Sequence, residues 1–184
     1  MKRVIHLVIG LSNGGAETML YNLLLFQQDS EIVHSIVSLG SKNQFWENEI
    51  RKLGIELLVL DLKRHPIQSL YKAYRQIKYC DVLNCWLYHC NFIGYYLGRL
   101  AKVPRILWNV RHSNLDKKYN KKFTLFINRM CVYMSSKVDR VLYNGRKAQQ
   151  VHEAIGYDSR KSLIMENGCD ITRFCFKEDG RNNI

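Results

Sequence analysis

The residues of this chain that could do chemistry fall in short clusters, each directly after an apolar run. Gly10-Leu11-Ser12-Asn13-Gly14-Gly15-Ala16-Glu17 follows the first run, and Lys63-Arg64-His65 a later one. Tyr88-His89-Cys90-Asn91 and Arg111-His112-Ser113-Asn114 follow two more, the last leading into Lys117, Lys118, Lys121 and Lys122. Paired glycines let backbone amides approach a phosphate or a sugar at a helix N-terminus. Histidines and cations that meet on one rim could bind and polarise an anionic, hydroxyl-bearing substrate. Each cluster also has a plain structural reading. Ser12 or Asn13 could simply cap a helix after a tight turn, and any single histidine could be structural.

The elements that must position these clusters are legible from periodicity. Apolar strands are expected at 3–11, 34–39, 55–60, 81–87, 105–110, 139–143 and 162–165. Helical patterns separate them at 16–27, 45–53, 66–79, 91–102, 123–136 and 146–155, with Pro66 suited to a first turn and Gly156 to a helix end. Sustained alternation of this kind implies an α/β fold: a single Rossmann-like domain, a parallel sheet of six to seven strands with helices on both faces. Ligands of open parallel sheets bind at the carboxyl edge of the strands, so one rim would carry every cluster.

The 184 residues suffice for one cored domain. No apolar run reaches the ~18 residues of a membrane span. The N-terminal run ends in glycines and a glutamate without a signal-peptide cleavage site, so a cytoplasmic protein is expected, one that could lie peripherally at the inner membrane face. Six cysteines, at 80, 85, 90, 131, 169 and 175, form no CxxC pair and read as reduced core thiols. Cys85, His89 and Cys90 match no common zinc spacing, and no metal is expected.

The net charge of +12 is uneven. Residues 1–100 hold 11 basic and 8 acidic side chains, and residues 101–184 hold 17 and 8. Such an excess calls for an anionic partner: phosphate groups, a membrane surface or nucleic acid. The segment KKYNKKFTLFINRMCVYMSSK joins a cationic patch to an amphipathic helix with Phe123, Phe126, Ile127, Met130 and Met134 on one face. That face could pack on the sheet or meet a membrane. The aromatics lie mostly within apolar elements and no groove-reading motif occurs, which argues against nucleic acid. A dehydrogenase is disfavoured as well, because GxGxxG is absent after the first strand and no acidic residue ends the second.

GLSNGGAETMLYNLL, after its apolar strand, resembles the GxxxGGAE opening of many bacterial family 4 glycosyltransferases. DVLNCWLYHCNFIGYYLGRLAKVPRILWNVRHSN resembles their fourth-to-fifth strand region, and ENGCDITRF the NGxDxxxF sequence that closes their first domain. The resemblance implies the N-terminal, acceptor-side half of a GT-B enzyme, residues 1–174, with 175–184 starting a linker or loose tail. The C-terminal donor-binding domain would be absent from residues 1–184 and could be supplied as a separate half.

By resemblance, Gly14 and Gly15 would close over the donor diphosphate and acceptor. His112 would be the catalytic histidine at the donor sugar, and His89 and Asn91 would shape the acceptor pocket. Ser12, Asn13, Glu17, Arg111 and Asn144 would complete the donor and acceptor contacts. The lysines at 117, 118, 121 and 122 would touch a membrane or phosphates. The implied reaction is retaining transfer from a nucleotide-sugar to a lipid-linked or surface-polysaccharide acceptor (lipopolysaccharide or capsule), with no cofactor. Such chains commonly send a final helix back onto the first domain. Alone, this chain is expected to be catalytically silent. The alternative is a non-catalytic basic module that binds anionic membrane, polysaccharide or nucleic acid.

Overall fold

The computed structural model describes residues 1–27, 31–40 and 45–168. In chain order the elements are β1 (Lys2–Val8), α1 (Gly15–Phe26), β2 (Ile32–Ser38), α2 (Glu47–Lys52), β3 (Glu56–Val59), α3 (Pro66–Ile77) and β4 (Val82–Trp86). They continue as α4 (Leu87–Leu100), β5 (Arg105–Val110), α5 (Lys122–Met134), β6 (Arg140–Tyr143), α6 (Arg146–Ala154) and β7 (Ser162–Ile164). All seven strands pair in parallel, in the order β3-β2-β1-β4-β5-β6-β7. The expected α/β architecture is the observed one. The linker expected at 175–184, Cys169, Cys175 and the last six residues of ENGCDITRF lie outside the described residues.

Strand order reverses between β1 and β4, and right-handed crossovers then send helices to opposite faces on the two sides of the reversal. The alternation of each strand records this. Ile5, Leu7, Leu83, Cys85, Ile106, Trp108, Val141 and Tyr143 join residues of α3, α4, α5 and α6 in the larger core. The opposite face gives Val8, Ile36, Leu57 and Trp86 to a smaller core with Leu20 and Leu24 of α1 and Ile50 of α2.

α4 packs tightly on the sheet because two of its inward positions are glycines one turn apart. A Cβ at Gly98 would lie 2.8 Å from Ile106 Cδ1, and one at Gly94 would overlap Cys85 Sγ. The four described cysteines, Cys80, Cys85, Cys90 and Cys131, are buried and unbridged. Burial pushes the Cys80 and Cys131 thiols up to about 12.

Two boundaries depart from the periodicity by three residues or more. β1 ends at Val8 rather than at residue 11, although Leu11 is still fully buried and accepts a hydrogen bond from the Trp46 amide, 3.0 Å. α4 starts at Leu87 rather than at Asn91. Leu87 takes a left-handed φ of 68° and turns strand directly into helix, so no loop separates β4 from α4.

α5 corrects the expected apolar stripe. Ile127, Asn128, Cys131 and Met134 are buried, whereas Phe123 and Phe126 are 64% and 58% exposed and Met130 lies between. Asn128 takes its inward place by accepting a 2.6 Å hydrogen bond from Tyr157 Oη.

Adding a methyl at Gly94 must displace α4 or Cys85. Gly94→Ala is expected to destabilise the fold by about 1–3 kcal/mol, read as a lower urea midpoint with an unchanged slope. The four described thiols should resist alkylation in the native chain and react on unfolding, as mass spectrometry of the labelled peptides would reveal.

Candidate functional site

The carboxyl edge of the sheet receives the turn after β1, the first turn of α4, the segment after β5 and Asn144-Gly145 after β6. At about 4.8 Å per strand, β1 and β5 stand about 10 Å apart with β4 between them. The glycine turn and the segment carrying His112 therefore leave the sheet along one rim. β3 is the far edge strand, about 19 Å from β5 by the same spacing. Lys63, Arg64 and His65 thus share the edge without joining this site.

Gly14 is the N-cap of α1, with extended φ −123° and ψ 161°, and no side chain caps the helix. Neither Ser12 nor Asn13 performs the expected capping. Ser12 Oγ instead donates to Glu17 Oε1 at 3.4 Å, and Thr18 Oγ1 donates to the Gly14 carbonyl at 2.9 Å. Around Gly15 a Cβ would meet nothing within 4 Å, which leaves open space beside the first amides of the helix. Such amides, with the positive end of the helix dipole, favour an anion.

The first turn of α4 contributes less than its sequence suggested. Asn91 is fully buried, and in the amide orientation that satisfies its neighbours its nitrogen donates to the carbonyls of Cys85, 3.0 Å, and Leu87, 3.2 Å. It fastens the strand-to-helix junction and offers the rim nothing. Tyr88 and Cys90 are buried as well. His89 alone of this quartet stays half-buried, its ring 5.8 Å from that of Phe123. Its pKa is lowered first by burial and then by the charge of Lys121.

After β5, His112 is exposed and its Nε2 lies 3.1 Å from Asn120 Oδ1. Asn144 is half-buried on the same rim, followed by exposed Arg146 and Lys147 in an α6 first turn that carries no acidic residue. These two cations were missed in the sequence reading, although their place directly after an apolar strand was the available signal. Arg111 turns away from the rim. Its guanidinium lies 4.8 Å over the Trp86 ring, reaches Asn109 Oδ1 at 3.3 Å and bonds to Asn167 Oδ1.

Arg111 thereby ends a buried polar row that crosses the face opposite α4. Trp86 Nε1 donates to His6 Nδ1 at 3.2 Å, so neutral His6 carries its proton on Nε2 and donates to His34 Nδ1 at 3.0 Å. His34 must then hold its own proton on Nε2, which is buried without a partner among the described residues. Asn84 approaches His6 Nδ1 at 3.4 Å and accepts from Asn109. This row floors a cavity of about 710 Å³ walled by Met19, Leu23 and Phe26 of α1, by Leu107 and Leu142 of the sheet, and by Met165. The cavity is not lined by Gly14, Gly15, His89 or His112. Right-handed crossovers leave this side of β4, β5 and β6 without a local helix, which is why the space exists. His6, His34, Asn84 and Asn109, each set inside a mainly apolar strand, were the only sequence trace, and their alignment depends on strand order.

Among the described residues no group of three or more His, Cys, Asp or Glu side chains is placed to hold a metal ion. No helix there is long and apolar enough to cross a membrane.

A seven-stranded parallel sheet reversing at β1/β4, with helices on both faces, defines a Rossmann-like domain, the architecture of one half of a GT-B fold. The model of Glycosyltransferase Family 4 matches residues 13–173, and the chain belongs to that family. No curated protein sequence matches it.

Among solved structures it is similar to Anabaena Alr3699/HepE in complex with UDP, at 15% identity and a TM-score of 0.76, covering 94% of this chain and 45% of that one. The same protein in complex with UDP-glucose gives 14% identity and 0.77, over 94% and 45%. UDP-N-acetylglucosamine 2-epimerase from Rickettsia bellii gives 12% and 0.58, over 91% and 45%. At these identities the likeness is one of fold. The chain spans less than half the length of these structures.

The buried histidines make stability depend on acid. Burial, reinforced by His34, lowers His6 from 6.5 to about 3, and burial also lowers His34 and His152. A depressed folded pKa means that the unfolded chain binds protons first, so stability is full above about 6.5 and declines as the pH falls towards 3. His6 by itself removes about 2 kcal/mol at pH 5. Melting temperature should fall between pH 7 and pH 5, with a shallower slope in His6→Gln.

Proposed function

We propose that this chain is the acceptor-side half of a retaining glycosyltransferase that moves a hexose from a nucleotide-sugar to a lipid-linked or surface-polysaccharide acceptor. The observation that carries the reading is the shared rim, where the amides beside Gly14 and Gly15 stand two strands from His112. Amides at the α1 N-terminus suit a diphosphate, and His112 suits the donor sugar, with Ser12, Asn13, Glu17, His89 and Asn144 around the acceptor. Binding of UDP and UDP-glucose by Anabaena HepE supports a nucleotide-sugar donor. A second, donor-binding half would stabilise the leaving diphosphate electrostatically. No metal or cofactor takes part in this reading.

Transfer of labelled sugar from nucleotide-sugars tests it, in this chain alone and in a longer form of the protein that carries a second α/β half. The chain alone is expected to be silent. The longer form should transfer sugar and lose roughly 100-fold of kcat in His112→Ala, the scale of one lost transition-state contact. Turnover by the chain alone, or indifference to His112→Ala, would refute the proposal.

The acceptor side is read as meeting an anionic lipid surface from the cytoplasmic side. Phe123, Phe126 and Tyr133 are exposed along α5, whose first turn holds Lys122 and no acidic residue. Cations at a helix N-terminus oppose its dipole, so Lys121 and Lys122 do nothing for helix stability and suit an external anion. Lys117 and Lys118 extend the charge, and exposed Tyr119 adds an aromatic. Exposed aromatics beside lysines fit interfacial binding. Sedimentation with phosphatidylglycerol vesicles should weaken with salt and with Lys-to-Glu reversal at 117, 118, 121 and 122. Phe123→Ser with Phe126→Ser should weaken what salt leaves behind. Binding that ignores all of these changes points to another surface.

A further inference from the structure

The loop that follows β5 is folded around a single amide. Asn120 Nδ2 donates to the carbonyls of Asn114, 2.9 Å, and Asp116, 2.8 Å, so both of its protons are committed. Asn114 Oδ1 accepts from the Asp116 amide at 2.9 Å, and Asp116 Oδ1 from the Lys118 amide at 2.8 Å, which ties the acceptors themselves in place. The orientation of the amide follows from these bonds: exchanging its oxygen and nitrogen would set an oxygen against two carbonyls. Oδ1 must therefore face His112 Nε2, 3.1 Å away. An amide oxygen only accepts, so the imidazole must donate there.

We propose that Asn120 is a positioning residue that holds neutral His112 in its Nε2–H form, presenting Nδ1 as the one lone pair available to a ligand on the rim. Nδ1 has no hydrogen-bond partner among the described residues. A group that meets it must bring a proton, as a hydroxyl or an amide N–H does, and a bare phosphate oxygen is rejected by lone-pair repulsion while the ring is neutral. The partner of the second ring nitrogen commonly decides which tautomer a functional histidine uses. The role of that lone pair in sugar transfer rests on the function proposed above; the tautomer does not.

Two-bond ¹H–¹⁵N correlation spectra of the histidine-labelled chain, recorded where the imidazoles are neutral, read the tautomer directly. In the wild type, His112 should give a protonated-type Nε2 and a lone-pair-type Nδ1. Asn120→Ala should move both nitrogens towards a common average as the two tautomers mix.

Should Asn120→Ala also loosen the loop, the wild-type pattern still decides the matter. A wild-type proton on Nδ1 or an Asn120→Ala spectrum that superimposes on the wild type would overturn the proposal. None of these signals depends on turnover. A transfer assay that finds His112 dispensable would sink the functional reading and leave the tautomer standing.

Discussion

Because parallel strands are joined here by right-handed crossovers, the reversal of strand order between β1 and β4 decides where each helix lies. α1 and α2 go to one face, and α3 to α6 go to the other. The same reversal opens the carboxyl edge between β1 and β4, the place where open α/β sheets receive ligands. It also leaves β4, β5 and β6 uncovered on the α1 face, where the polar row of His34, His6, Asn84, Asn109 and Arg111 lies under a cavity. Rim and cavity are two consequences of one topological constraint.

The rim and the cavity differ in physical character. Rim groups are exposed or half-buried and lie where strands hand over to helices, so they are free to meet a ligand without unfolding anything. Cavity groups are buried in strand interiors, and each is linked to the next by a hydrogen bond, as buried polar groups must be to avoid a desolvation cost of a few kcal/mol. Arg111 belongs to both regions in sequence, beside His112, but its stacking on Trp86 assigns it to the cavity. Adjacent residues of an extended segment point to opposite sides, and that alternation separates Arg111 from its neighbour.

Family membership and fold fit this division. The Glycosyltransferase Family 4 match runs from residue 13, inside the glycine turn, to residue 173 and so takes in Gly14, Gly15, His112 and β2 to β7, but not β1. The helix that would matter most at a lipid surface, α5, keeps only the Ile127, Cys131 and Met134 stripe for the core and leaves two phenylalanines outside. A stripe repeating at four and three residues satisfies the sheet, and the phenylalanines fall beside it rather than on it.

Much was settled by the sequence alone. Seven apolar runs alternating with helical periods dictate a parallel α/β sheet, since only crossover helices can join parallel strands. The glycine pair after the first run and His112 after the fifth were legible as rim residues for the same reason. Tertiary structure decided what periodicity does not encode. Only strand order sets Lys63, Arg64 and His65 apart from His112. Only the left-handed turn at Leu87 pulls Asn91 into the core. Only the stacking of four strands joins single polar residues at 6, 34, 84 and 109 into one row. Local patterns fix which face of its own element a residue occupies, whereas the neighbour across the sheet is chosen by contacts between segments far apart in the chain.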